Sequence, residues 1–249
     1  MRSLLAALRF LTIVPIPGNW GTAEDDIAGS VPWFPVIGLL LGGVAAGLAW
    51  GLSGVAPPMA LAAVMVVVLL SFSGCLHMDG LADTADGLLS SRSRERILEI
   101  MKDSHTGAMG VIAIVCVLLV KFAALASLPA ARLWPAVLLA PLAGRCALVI
   151  HMALLPCARP SGLGAIFYRR RPRWATFWAA GLLAAVAGGL LGPRGLMVWA
   201  ACIVAVLILS AYVYRKIGGA TGDTLGAVCE IIEVVPALVL ALGLLAEAR

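Results

Sequence analysis

An all-α bundle of about seven membrane-crossing helices, with a further N-terminal helix at the membrane surface, is the fold this chain predicts. Three observations carry it. Hydrophobic residues make up 62% of the 249 residues and charged residues only 12%, where a soluble domain carries about 25% charge; a chain so poor in charge cannot cover its surface in water. Apolar residues run on continuously instead of alternating, which selects helices over a β-barrel. Seven separate runs reach the roughly 17–25 residues that a span needs. Soluble globular, disordered and nucleic-acid-binding classes are thereby excluded, and a single integral membrane domain over 1–249 is expected.

Taken in order, the opening MRSLLAALRFLTIVPIPG imitates a secretory leader. Arg9 interrupts its apolar stretch, Pro15 and Pro17 stop it, and no small-residue cleavage site follows, so a retained interfacial or re-entrant helix is expected. The spans are read at 34–53, 59–76, 108–129, 134–155, 174–192, 195–214 and 225–246. The second leads without a break into HMDGLADTADG. The fifth is rich in Gly and Ala, which suits close helix packing, and its Trp174 and Trp178 suit an interfacial belt. The six cysteines form no CxxC pair and read as small buried hydrophobes, with no disulfide framework and no zinc site.

The loops alternate sharply in charge. With the N-terminus inside, thirteen of the 18 Lys and Arg fall in inside segments: Arg2, Arg9, Arg92, Arg94, Arg96, Lys102, Arg159, Arg169, Arg170, Arg171, Arg173, Arg215 and Lys216. Three, Arg132, Arg194 and Arg249, fall outside, and Lys121 and Arg145 lie within spans. Positive residues accumulate in cytoplasmic loops, so the split predicts a cytoplasmic N-terminus and an external C-terminus; the expected location is the cell (inner) membrane. The net charge of +5 follows from the same rule. Twelve of the 13 acidic residues lie in inside segments or, as Glu230 and Glu233, at the start of the last span, so the distinctive polar sequence faces the cytoplasm.

Three constellations carry potential chemistry. In HMDGLADTADG, Asp79, Asp83 and Asp86 follow i, i+4, i+7 spacing, which on a helix places them within about 60° of one another on one stripe. Mutual repulsion and the cost of entering lipid are both offset by a cation, and hard oxygen ligands favour Mg²⁺ or Mn²⁺; a solvated helix face is the competing reading. His77 is a general-base candidate by adjacency. In KDSHTGAMG, Ser104 or Thr106 is placed to cap the next span, Asp103 to add a metal or nucleotide ligand and Lys102 to contact phosphate, with a plain cap and an orientation lysine as the competing reading; His105 is one of several base candidates. In GGATGDTLGA, glycines including Gly222 flank Asp223, a turn that lets backbone approach a phosphate without matching a P-loop. Between the first two motifs, SSRSRERILEI reads as an amphipathic surface helix.

Of the ionisable residues within spans, Arg145 is expected to bind a substrate phosphate or to pair with Glu230 or Glu233, with the phosphate favoured. Lys121 and His151 sit nearer span ends and are read as snorkelling. Arg159 opens a basic loop continuing to Arg173, where an anionic substrate and plain orientation charge are both reasonable readings.

GCLHMDGLADTADGLLS, MKDSHTGAMGVIAIVCVLLVKF, ARPSGLGAIF and GGATGDTLGAVCEIIE, in this order and spacing, resemble the cobalamin synthase family over nearly the whole chain. The resemblance implies an integral membrane, Mg²⁺-dependent transferase at the end of vitamin B12 assembly. Such an enzyme joins adenosylcobinamide-GDP to α-ribazole or α-ribazole 5′-phosphate and releases GMP. It implies Asp79, Asp83 and Asp86 on Mg²⁺, with Asp103 or Asp223 assisting, and Lys102, Arg145 and Arg159 stabilising the leaving GMP. Gly222, Glu230 and Glu233 would complete the substrate site, with the lipid bilayer as a further partner and homo-oligomerisation left open. The chain departs from the family pattern at Cys229, where Asn precedes the first Glu, and at Ser161, where an acidic residue is common. A CDP-alcohol phosphotransferase is the nearest rival enzyme, but its DGxxAR start is unmatched, with Asp83 and Thr84 at the last two positions; a prenyltransferase needs a second Asp-rich motif. A seven-span transporter would hold its charges near the midplane, whereas these cluster at one face.

Overall fold

The computed structural model describes residues 1–159, 162–170 and 173–247. Among these the chain is helical throughout: α1 (Arg2–Leu11), α2 (Glu24–Ala28), α3 (Phe34–Leu52), α4 (Pro58–Ser71), α5 (Leu76–Leu88), α6 (Arg94–Ile100), α7 (Ala108–Ala126), α8 (Ala130–Leu154), α9 (Leu163–Arg169), α10 (Trp174–Leu191), α11 (Pro193–Ile217) and α12 (Gly222–Glu247). Among the described residues six helices are long and apolar enough to cross a membrane: α3 with its preceding 3-10 turn, α7, α8, α10, α11 and α12. The other expected span, 59–76, is not one straight helix. It breaks between Ser71 and Leu76, and α4 and α5 meet at 87°. Gly74 and Cys75 both adopt the left-handed conformation there, with φ of 56° and 62°, which L residues other than glycine rarely enter. Hydropathy runs straight through this corner because Phe72, Cys75 and Leu76 remain apolar while the backbone turns. At about 1.5 Å per residue, the 14 residues of α4 reach some 21 Å. We read α5 as outside the crossing segments, turned across the end of the bundle.

The core is built around α8, which packs along α3 on one side and α12 on another, with α10 and α11 behind it. Nearly every side chain from Leu133 to Met152 is buried. The outer faces of α7 and α11 are apolar and exposed, at Val111, Val115, Leu119, Val204, Leu207 and Ile208, as lipid-facing surfaces are. The N-terminal α1 packs Ala7 and Leu11 into the core. Its Arg9 guanidinium donates to the carbonyl oxygens of Ile16, Gly18 and Trp20 and so ties down the proline-containing loop behind it. The amphipathic α6 buries Ile97 and Met101 against α5 and α11, and Ser93 caps it by accepting the Arg96 N–H at 3.4 Å.

Two smaller expectations are corrected. Cys146, Cys202 and Cys229 are buried, but Cys75 and Cys116 are exposed. His151 does not snorkel: its Nδ1 lies 2.8 Å from Ser210 Oγ in the buried seam between α8 and α11.

Candidate functional site

Helices α5 and α12 cross where each has a glycine. A Cβ on Gly80 would stand 2.8 Å from the Asp223 carbonyl oxygen, and one on Gly226 3.0 Å from that of His77. Only glycine permits this approach, and it brings Asp223, on the first turn of α12, beside the carboxylates of α5. That first turn is fixed by a reciprocal cap: the Thr224 N–H donates to Thr221 Oγ1 at 3.2 Å and the Thr221 N–H to Thr224 Oγ1 at 2.9 Å. The glycine-rich segment is therefore a capped helix start, not an open cradle.

The aspartates of the stripe divide by partner. The carboxylates of Asp79 and Asp83 have no hydrogen bond or ion pair among the described residues. Burial, and then the charges of Asp79, Asp223 and Asp86, push the Asp83 carboxyl up to about 6, so these four groups share one field. Asp86 faces the other way. Its two oxygens accept the backbone N–H of Gly107 at 2.7 Å and of Gly110 at 2.8 Å, which caps α7 from another helix; Gly107 stands at the N-cap position, not Ser104 or Thr106. Asp103 and His105 pair with each other on an exposed loop, with His105 Nδ1 2.7 Å from Asp103 Oδ1. That bond holds the Asp103 carboxyl below its ordinary value. Lys102 is exposed on the same loop.

Asp223 is met by Arg159, whose Nη1 donates at 2.9 Å while Nη2 donates to the Leu98 carbonyl at 3.4 Å. A backbone bridge holds this loop against the start of α12: the Ala158 N–H donates to the Ala220 carbonyl and the Ala220 N–H to that of Pro156, each at 2.8 Å. Beyond it, Arg169 and Arg170 of the basic loop pair with Glu24 and Asp25 of α2. The acidic trio thus answers part of the basic run. Pro160, Ser161, Arg171 and Pro172 lie outside the described residues.

Two basins open on either side of Gly164, Gly222 and Asp223. One, a cavity of about 150 Å³, is bordered by Phe10, Phe34, Phe167 and Leu148 and by His77 and Asp79. The other is bordered by Arg159, Tyr168, Cys157 and Thr221. His77 is buried, and neither ring nitrogen has a hydrogen-bond partner among the described residues.

For Arg145, Glu230 and Glu233 the structure shows the ion pairing that stood as the alternative to substrate binding. All three are buried and bind one another: Arg145 Nη1 donates to Glu233, and Lys121 Nζ donates to Glu230 at 2.8 Å and to Glu233 at 3.0 Å. Lys121 is only 1% exposed and does not snorkel. The physical reason is that Arg145 comes from the middle of α8, the most enclosed helix, where a permanent charge requires a carboxylate at hand. None of the four borders either basin. Lys121 is the partner that sequence reasoning missed; the signal was a lone Lys inside an apolar run, facing two Glu three residues apart in another. Cys229, at the departure from the family pattern, lies buried with its thiol 4.0 Å from Glu233.

As an oxygen-donor set for a divalent cation, Asp79, Asp83 and Asp223 fit by chemistry: they are clustered carboxylates, two of them without a side-chain partner among the described residues. Among the described residues no three His, Cys, Asp or Glu side chains already surround a common point, so a cation would have to draw them together by side-chain rotation.

The family model for cobalamin-5-phosphate synthase matches residues 3–241. A curated protein of Roseiflexus sp. (strain RS-1), named adenosylcobinamide-GDP ribazoletransferase, is 44% identical over 95% of this chain and 88% of its own length. Proteins of the same name from Desulforamulus reducens and Pseudomonas putida (strain GB-1) are each 40% identical, over 93% and 98% of this chain and 92% and 100% of their own. No solved structure matches.

Proposed function

We infer that this chain, which belongs to the cobalamin-5-phosphate synthase family, is an adenosylcobinamide-GDP ribazoletransferase that works where α5 meets the start of α12. It joins adenosylcobinamide-GDP to ribazole and releases GMP. One observation carries the placement of the site: Asp223, paired with Arg159, stands in the wall between two basins, and Asp79 borders the first of them.

In the reaction a ribose hydroxyl of ribazole attacks the phosphorus nearer cobinamide. A new P–O bond forms, the bond to the bridging oxygen breaks, and GMP leaves with the electron pair. Such transfers depend mostly on positioning and charge neutralisation. Asp79, at the border of the first basin and without a side-chain partner among the described residues, accepts the hydroxyl proton at a carboxylate oxygen. Arg159 faces the diphosphate and the leaving GMP. Asp83 and Asp223 would hold Mg²⁺, which when bound neutralises diphosphate charge. Asp86 acts through α7. The thirteen-to-three charge split supports a cytoplasm-facing site in the inner membrane, where a nucleotide-linked substrate is available.

The test is GMP release by purified protein in detergent with both substrates, with Mg²⁺ and after its removal by a chelator. Release that needs Mg²⁺ and falls at least about 100-fold in Asp83→Asn supports the reading, since an amide brings no charge to the cation. Full release in the chelator, or from Asp83→Asn, removes the metal assignment. No release from folded protein overturns the transferase reading, and a transporter would in any case need a sealed vesicle.

A further inference from the structure

Two basins share one wall, and their linings differ in kind. In the first, Phe10 of α1, Phe34 of α3 and Phe167 of α9 form a closed triad with ring centroids 4.7, 5.6 and 5.9 Å apart. Phe34 and Phe167 are each 1% exposed, so mutual packing fixes the rings before any ligand arrives. Leu148 and Leu225 extend the apolar surface. The polar side chains at its border are the carboxylate of Asp223, at the shared wall, the carboxylate of Asp79 and the imidazole of His77. The second basin has a guanidinium, hydroxyls and a stretch of irregular backbone.

The reactants differ in the same way. Guanine carries polar atoms around most of its edge and arrives tethered to a diphosphate. The corrinoid is a macrocycle fringed with amides, far larger than the cavity. Ribazole is a flat, methylated benzimidazole on a ribose, and its base has one polar atom not engaged by the sugar, the free imidazole-type nitrogen. An apolar wall with one unpaired imidazole suits a base with one unpaired nitrogen, and suits guanine poorly because buried polar edges without partners are costly. Flat rings also gain by offset or edge contacts with fixed aromatic side chains.

We propose that the Phe10–Phe34–Phe167 basin is the acceptor subsite: it seats the benzimidazole of ribazole against the aromatic triad, with a His77 ring N–H donating to the free nitrogen of the base. The ribose then points to the shared wall, with its hydroxyl at Asp79. Arg159 and the second basin take the nucleoside diphosphate. In this arrangement Phe10 and His77 are specificity-determining residues for the acceptor, while Arg159 serves the donor. The assignment rests on the transferase reading above and names where its second substrate lies.

The experiment uses the full chain in detergent and has two readouts. Binding of α-ribazole alone is measured by calorimetry without Mg²⁺ or the GDP-linked substrate, and KM is measured for each substrate. Phe10→Leu, at a partly exposed ring, and His77→Ala are expected to weaken ribazole binding and to raise its KM at least 10-fold. Both should leave the KM for the GDP-linked substrate within twofold, and Arg159→Gln should do the reverse. A purine ribonucleoside should lose its disadvantage against ribazole in His77→Ala. Equal changes in both KM values, or unchanged ribazole binding in a variant whose melting temperature is unaltered, would overturn the assignment. If wild-type protein binds ribazole and Phe10→Leu weakens it, yet no GMP is released, the subsite stands and the transferase reading falls.

Discussion

Arg145 shows how a single residue in a bundle core is committed. Its guanidinium is 1% exposed and binds Glu233, which also takes Lys121. Arg145→Ala leaves that carboxylate with one cation instead of two in a low-dielectric site, which costs about 3–5 kcal/mol. The melting temperature in detergent should fall steeply, with or without the GDP-linked substrate. Replacing both Arg145 and Glu233 by leucine should recover much of the loss, because apolar residues of similar volume leave no buried charge unpaired. A single variant with wild-type melting and a raised substrate KM would instead return Arg145 to the substrate site. The sequence marked Arg145, Glu230 and Glu233 as buried ionisables and even named the correct pairing as an alternative. What it lacked was distance: Glu233 is 88 positions from Arg145 and 112 from Lys121, and nothing local encodes that they meet.

At the scale of an element, Asp86 is the clearest case. Helical spacing correctly places it on a stripe with Asp79 and Asp83, but it is the start of α7, 21 and 24 residues on, that claims its oxygens. Asp86→Ala should free the Gly107 and Gly110 amides at a cost of about 0.5–2 kcal/mol, the usual range for a lost cap. Hydrogen exchange at those two amides should accelerate while amides in the middle of α7 keep their protection; unchanged exchange would show that the cap is idle. Span positions were legible because hydropathy largely determines them, and all six uninterrupted spans begin and end within four residues of expectation. The corner between α4 and α5 was not legible in the same way, because it is made by backbone dihedrals at Gly74 and Cys75 inside an apolar run. The aromatic basin was invisible for a related reason: Phe10, Phe34 and Phe167 come from three elements, and each reads alone as an ordinary apolar residue.

For the whole molecule, the charge split predicts sidedness. Cysteines introduced at Ser91 and Lys216, in a background without exposed thiols, should resist a membrane-impermeant reagent applied to intact cells and react once the membrane is opened. Labelling of both from outside would invert the topology and place the site away from the nucleotide pool. The buried quartet bears on a different property. Two cations, Lys121 and Arg145, face two carboxylates, Glu230 and Glu233, so the enclosed core carries no net charge. A transmembrane voltage acts on charge at about 2.3 kcal/mol per elementary charge per 100 mV, and on a group that sums to zero it exerts torque but no net pull. Collapsing the potential across proteoliposomes with an ionophore should therefore leave GMP release unchanged. A core so balanced gives a transmembrane voltage no net charge to pull on.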